Sequence, residues 1–163
     1  MSSATGLHHA LDYAMDFAVP LIFASTSEVY GNPEVFPTPE SYWGRVNTLG
    51  PRSCYDESKR FGETLCWVHN KAHGTDARLL RIHNTFGERM GRGDGRVVPT
   101  FITQALLGEP LTIQGSGNHT RSYLYVSDCV DALLLALQKA KPVRPVNIGA
   151  TEEKTVTELA ALV

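Results

Sequence analysis

The chain reads as an α/β protein, a parallel sheet with flanking helices, and three observations carry that expectation. "PLIFAS" (20–25) and "ARLLRI" (77–82) are short, largely apolar runs of the kind buried on both faces of a sheet. Between them lies a helical pattern from about Arg52 to just before Gly74, long enough to cross between parallel strands. Polar and turn residues, "TSEVYG" and "HNTFG", follow each run directly. Parallel sheets hold ligands beyond those carboxyl ends.

The elements follow in order. Leu7, Leu11 and Ala14 mark a first helix over 5–17, before the "PLIFAS" strand. Pro33, Pro37, Pro39 and Pro51 make 31–51 an irregular loop. The next helix carries Phe61, Leu65 and Val68 as its apolar stripe, with Gly74 as C-cap. After "ARLLRI" comes the turn-rich "HNTFGERMGRGDG", then a helix over 98–107 that Gly108 and Pro110 end. "LTIQ" and "RSYLYV" read as short strands around "GSGNHT". Ser127 is placed to cap a helix from Asp128 to about Ala140, with apolar residues at 130, 133, 134 and 137. "PVNIG" is a further strand, and Thr155 with Glu158 has capping-box spacing before "LAALV". The chain opens and closes inside helix-like patterns, which reads as part of a domain.

Bulk properties narrow the function. A net charge of -2 without a basic block gives no general attraction to nucleic acid or an anionic membrane. No apolar run reaches membrane-span length, and the N-terminus lacks the pattern of a secretory leader. Cys54, Cys66 and Cys129 lack disulfide-framework or zinc spacing, which favours reduced thiols and a cytoplasmic setting. The six histidines form no metal signature, so no metal is expected. Neither a phosphate-binding P-loop nor a GxGxxG turn is present.

Candidate chemistry gathers in two segments. Tyr55 and Lys59 in "RSCYDESKRF" stand one helical turn apart and face the same space. A tyrosine has a reference pKa of about 10, and a nearby ammonium favours the phenolate that removes a hydroxyl proton. Spacing alone also fits a core tyrosine beside an exposed lysine. In "STSEVYG", Thr26 can hydrogen-bond a reacting oxygen and Glu28 can move a proton, or the cluster can simply cap a turn. Asn84 offers a donor and an acceptor, and Arg89, Arg92, Arg96 and Arg121 could approach a phosphate or sit in solvent.

Together, "ASTSEVYG", "YWGRVNTLGPRSCYDESKR", "RIHNTFGERM", "DGRVVPTFITQALLGEPLTIQGSGNHTRSYLYVSD" and "PVNIG" resemble the extended short-chain dehydrogenase/reductase family of nucleotide-sugar enzymes. The Tyr-Lys pair identifies only the broad superfamily. Within it, "STSEVYG" with "NTLGPRSCYDESKR" most resembles the UDP-glucuronate decarboxylases, which make UDP-xylose. The resemblance implies a partial Rossmann-like sheet, bound NAD, and a redox-neutral route. C4 of the glucuronate is oxidised, the β-keto acid loses CO₂, and the ketone is reduced again.

By this resemblance Tyr55 is the base and later the acid at C4, and Lys59 holds the nicotinamide ribose. Thr26 binds the C4 oxygen, while Ser27 and Glu28 lie near C5. Asn84 contacts the nucleotide-sugar, Thr85 and Arg96 the cofactor side, and Arg121 the diphosphate or the reacting end. The Ser27-Glu28 pair separates the chain from dehydratases, which carry Asp-Glu there, and from simple epimerases. A 4-epimerase, a 4,6-dehydratase and a noncatalytic nucleotide-sugar binder stay open as alternatives. Against the family pattern, His83 stands for phenylalanine, Glu88 for proline, Gly91 for histidine and His119 for glutamine.

The family's glycine-rich, pyrophosphate-binding half does not occur in these 163 residues. By the resemblance the chain is expected to be a central fragment, an incomplete domain over 1–163 that also omits much of the C-terminal substrate-binding region, with 88–125 contributing part of that region. It is expected neither to retain NAD by itself nor to turn over. The resemblance also implies a homodimer for the parent enzyme, built on the helix with the Tyr-Lys pair. The oligomeric state of this chain stays open.

Overall fold

The computed structural model describes residues 2–163, with side chains from Thr5 onward. In chain order it contains α1 (Ser2–Asp16), β1 (Leu21–Thr26), a 3-10 turn (Ser27–Tyr30), α2 (Ser53–His73), β2 (Ala77–Ile82) and β3 (Thr85–Phe86). Then come α3 (Val97–Leu107), β4 (Thr120–Ser122), β5 (Leu124–Tyr125), α4 (Val126–Lys139), β6 (Val146–Ile148), β7 (Glu153–Thr155) and α5 (Val156–Leu162). The chain divides into two units, one reaching to Ile82 and resuming over Val130–Ile148, the other His83–Cys129 with Gly149–Val163. Among the described residues, no helix is long and apolar enough to cross a membrane.

The first unit is built on a parallel sheet in the order β1-β2-β6. β1 runs beside β2 in continuous register, from Leu21 opposite Ala77 to Thr26 opposite Ile82. Residues alternate faces along a strand, so Leu21, Phe23, Ala77 and Leu79 share one side of the sheet. There they pack with Leu7 and Leu11 of α1 and Leu65 and Cys66 of α2. Arg78, on the other side, donates to the carbonyl of Ala136 in α4 at 2.9 Å. The partial parallel sheet with flanking helices agrees with the sequence.

α2 turns a different stripe to the sheet than its apolar residues suggest. Phe61 and Val68 are about half exposed, whereas Gly62, Cys66 and His69 are buried. Small residues let the helix come close: a Cβ on Gly62 would overlap the ring of Phe23. Gly74 ends α2 in the left-handed conformation, as the sequence indicated, with its N–H donating to the Asn70 carbonyl at 2.7 Å. The loop from 31 to 51 is tied back at its start. Gly31 pairs with Arg45 in a backbone bridge, at a positive φ of 64° and with the Arg45 carbonyl where a Cβ would be.

The second unit has a small core of Val98, Phe101 and Leu159, flanked by Phe86, Leu111, Tyr123 and Val156. β3 pairs with β5 in parallel, and β4 pairs with β7 antiparallel. Thr155 and Glu158 form the expected capping box at the start of α5. Two expectations are corrected. "LTIQ" (111–114) forms no strand; Thr112 is instead held from α3, its N–H and hydroxyl bonded to the side-chain amide of Gln104. Ser127 does not cap α4, because the helix already begins at Val126 and Ser127 donates to Asp128. The apolar positions Val130, Leu134 and Leu137 of α4 are at least two-fifths exposed.

The three cysteines are unpaired, Cys54 exposed and Cys66 and Cys129 buried. Burial, reinforced by the nearby Glu63 carboxylate, pushes the Cys66 thiol up to about 12. The histidines differ from the sequence expectation: His8 and His69 converge on the carboxylate of Asp12 across α1 and α2.

Candidate active site

The site begins at the carboxyl end of β1, where the chain leaves the sheet. Ser25 and Thr26 are buried there although both are polar. Each has a bond that accounts for this. Ser25 donates its hydroxyl to Glu63 of α2 at 2.6 Å, and the Thr26 hydroxyl accepts from the Glu28 N–H at 3.3 Å. That second bond caps the 3-10 turn, so the cluster does serve as a cap. Capping fixes the Thr-Ser-Glu backbone at the strand end and does not exclude a role toward a ligand.

Tyr55 lies in the first turn of α2 and Lys59 one turn further on. Lys59 falls on the sheet-facing stripe that continues through Gly62, Cys66 and His69, so its ammonium is carried to the strand end. It donates to the Ala24 carbonyl at 2.7 Å and sits 5.3 Å from the Phe23 ring centre and 6.0 Å from that of Tyr55. Tyr55 itself is 42% exposed, which leaves the phenol open to a ligand. Arg52 links the two segments. Its guanidinium lies 5.6 Å from the Tyr55 ring centre, and its Nε is 3.5 Å from the Glu28 carboxylate. Thr26, Ser27, Glu28, Tyr55 and Lys59 therefore belong to one neighbourhood at the end of β1.

Below that neighbourhood lies a polar network that no sequence spacing announced. Arg81 of β2 donates Nε and Nη2 to the two oxygens of Glu63, at 2.9 and 2.7 Å. Its Nη1 donates to the Tyr30 hydroxyl at 2.9 Å and to the Glu40 carbonyl at 3.0 Å. The Tyr30 hydroxyl in turn donates to Asn147 of β6 at 2.7 Å. The Glu63 carboxylate and the Tyr30 oxygen hold the Arg81 charge more firmly than usual, against the opposing effect of burial. The network joins β1, α2, β2, β6 and the loop, and so fixes the helix that carries Tyr55. Asp56, beside Tyr55, is buried, and its Oδ1 has no hydrogen-bond partner among the described residues.

The remaining expected residues lie in the second unit. Asn84 is exposed, and its carbonyl accepts from Leu124 N–H at 2.9 Å. Thr85 lies in β3 and donates its hydroxyl to the His83 carbonyl at 3.1 Å. Arg96 is exposed and grips Asp94, with Nη2 at 2.7 Å from the carboxylate. The hydrogen bond with Arg96 holds Asp94 below the usual carboxylate range and raises Arg96 in turn. Arg121 lies in β4, opposite Lys154, and donates to the Thr120 carbonyl at 2.7 Å. Glu88, the departure from the family's proline, accepts from the Tyr125 hydroxyl at 3.4 Å.

A phenol beside an ammonium at the end of a parallel strand is the equipment of an enzyme that moves a proton on a hydroxyl next to a redox cofactor. The chain belongs to the NAD dependent epimerase/dehydratase family, whose pattern matches residues 2–149. It is 50% identical over 162 residues to UDP-glucuronic acid decarboxylase 1 of Danio rerio, covering 99% of this chain and 38% of that protein. It is 49% identical to UDP-glucuronic acid decarboxylase 3 of Arabidopsis thaliana, covering 99% of this chain and 47% of that one. Among solved structures it is similar to the UDP-glucose 4-epimerase of Thermotoga maritima, seen with UDP-glucose. The TM-score there is 0.86 at 34% identity, over 96% of this chain and 50% of that one. The chain thus spans less than half the length of these curated relatives.

Proposed function

We propose that this chain carries the catalytic core of a UDP-glucuronate decarboxylase, which converts UDP-glucuronate to UDP-xylose and CO₂ through a 4-keto intermediate. The observation that carries the reading is the placement of Tyr55 and Lys59 at the end of β1, tied to the Thr-Ser-Glu segment by the Lys59–Ala24 and Arg52–Glu28 contacts. The names of the relatives supply the substrate.

The residues present fit the nicotinamide-ribose end of NAD: an anchored ammonium and an open phenol at a strand end. When bound, NAD supplies a hydride acceptor at C4 and later returns the hydride there. Tyr55 takes the proton of the C4 hydroxyl, and Lys59 favours its phenolate while holding the ribose. Thr26 orients the C4 oxygen. The C4 ketone can delocalise the electron pair left when the C5 carboxylate departs as CO₂, and an alcohol could not. Ser27 and Glu28 orient the decarboxylated intermediate and help deliver a proton drawn from solvent to C5, and Tyr55 returns its proton to the C4 oxygen.

In the second unit we assign Asn84 and Arg121 to the nucleotide-sugar and Thr85 and Arg96 to the cofactor side, with 88–125 contributing part of the substrate-binding region. Arg96 enters that role already paired with Asp94. The exposed Phe61, Trp67 and Val68 of α2 support a homodimer in the full-length enzyme. Unpaired cysteines support a cytoplasmic setting.

This chain alone is assigned no retained NAD, because no glycine-rich pyrophosphate turn occurs in its sequence. Titration calorimetry with NAD is expected to show no binding to the chain, and stoichiometric tight binding would overturn that assignment. Set into the zebrafish relative in place of the stretch it matches, the chain is expected to support release of CO₂ and UDP-xylose from UDP-glucuronate. Tyr55→Phe in that hybrid is expected to lower turnover by about 10²–10⁴-fold. A product that keeps its carboxylate and is inverted at C4 would establish the 4-epimerase instead.

A further inference from the structure

α1 and α2 lie together over the sheet, and most of what they share is apolar. At one place the contact is polar and converges. His8 and Asp12 stand one turn apart on α1, with His8 Nε2 3.7 Å from Asp12 Oδ2. From α2, His69 brings its Nε2 to 3.2 Å from the other oxygen, Oδ1. The potential ligand atoms of the three residues all lie within 4.8 Å of one another.

The two histidines are held differently. His69 is 5% exposed, and its Nδ1 is engaged by the Thr75 hydroxyl at 2.7 Å. That contact fixes the ring and leaves Nε2 as the nitrogen facing the carboxylate. An imidazole ligand is commonly held this way, its far nitrogen secured by a hydrogen bond. His8 is on the outer face, with a side chain 56% exposed, and Asp12 is 43% exposed. An ion therefore has a path in from solvent, and His8 has room to adjust.

The spacing suits a small ion. Tetrahedral coordination with bonds of about 2.0–2.1 Å puts neighbouring ligand atoms about 3.4 Å apart. His69 Nε2 stands close to that distance from Asp12 Oδ1, while His8 Nε2 is 3.7 Å from the other oxygen. The three ligand atoms lie within 4.8 Å of one another, so closing the site calls for the exposed His8 ring to move inward. Two imidazoles and one carboxylate suit a divalent first-row transition ion, whereas Mg²⁺ and Ca²⁺ prefer all-oxygen sites.

We propose that His8, Asp12 and His69 form a three-ligand site for a divalent transition ion such as Zn²⁺, with water in the fourth position, clamping α1 to α2. The site stands apart from the Tyr55 chemistry and does not rest on it. His73 lies one turn beyond His69, with ring centres 4.8 Å apart, and serves as the control.

The test is calorimetric titration of ZnCl₂ into the untagged, chelator-treated chain, paired with thermal melting in ZnCl₂ or MgCl₂. One Zn²⁺ per chain and a melting temperature that rises with Zn²⁺ but not Mg²⁺ are expected. His8→Ala removes a ligand from an exposed helix position and leaves the packing in place. It is expected to weaken Zn²⁺ binding roughly tenfold or more with metal-free melting unchanged, while His73→Ala binds as the parent does. Absence of Zn²⁺ binding overturns the proposal. So does a His8→Ala chain that binds like the parent, which would mean an adventitious ion only, or a loss that follows His73 instead.

Discussion

β1 and β2 are parallel neighbours of equal length, "LIFAST" and "ARLLRI", yet burial is distributed differently along them. In β2 it runs through most of the strand and includes a charged residue, Arg81. In β1 the apolar residues Leu21, Ile22 and Phe23 are only partly covered, Ala24 is exposed, and burial arrives at the polar Ser25 and Thr26. Position explains the contrast. β2 is hydrogen-bonded on both edges, and among the described residues β1 pairs with β2 alone. Hydrophobicity selects which segments become strands, but neighbours decide which residues are enclosed. At the end of β1 the enclosing groups are the carboxylate of Glu63 and the turn that Thr26 caps.

The largest expected effect tests the charge at the centre of that enclosure. Glu63→Ala leaves the Arg81 guanidinium buried without its carboxylate, and urea unfolding is expected to show a loss of about 3–5 kcal/mol. A loss under about 1 kcal/mol would mean that solvent reaches Arg81 and that the two strands are less different than their burial indicates.

Next comes the apolar contrast. Leu80→Ala in β2, at a fully buried position, is expected to cost about 2–5 kcal/mol. Ile22→Val, on the same sheet face in the half-covered β1, is expected to fall at or below the usual range of about 0.5–1.5 kcal/mol. Equal costs per carbon removed would erase the distinction between the strands.

Ser25→Ala deletes one hydrogen bond to Glu63 and leaves both bonds from Arg81, so a loss of about 1 kcal/mol is expected by the same unfolding measurement. The subtlest effect concerns Cys66, which packs against Ala77 and Leu79. Between the ordinary thiol value of 9.0 and about 12, the unfolded thiol gives up its proton while the folded thiol keeps it. The Cys66 contribution to stability is therefore complete below pH 9 and declines across that window; Cys66→Ala is expected to flatten the decline. Below it, a thiol reagent is expected to modify exposed Cys54 in the folded chain and to reach Cys66 only after unfolding.

Much of this architecture was legible in the sequence. β1 and β2 emerge at their expected places, Gly74 ends α2, and Thr155 with Glu158 caps α5. These are features in which local pattern and final environment agree. The buried stripe of α2 was only partly legible: Leu65 does reach the core, but Gly62, Cys66 and His69 are less conspicuous than the exposed Phe61 and Val68. Close helix-to-sheet packing favours small residues over large ones, and periodicity weighted by hydrophobicity points the other way. At the site, the Tyr-Lys spacing and the polar strand end were readable because both are local. The Ser25–Glu63–Arg81 network and the convergence of His8 with His69 join residues far apart in the chain. "LTIQ" failed as a strand because alternation supplies no partner.

An ammonium has three N–H bonds, and Lys59 spends one of them on the Ala24 carbonyl. That bond tethers the ammonium at the strand end, and its other two donors, which rotate together about the Cε–Nζ bond, stay available to acceptors there. Arginine would retain the positive charge, but its flat fork could not grip the strand carbonyl and present that same pair.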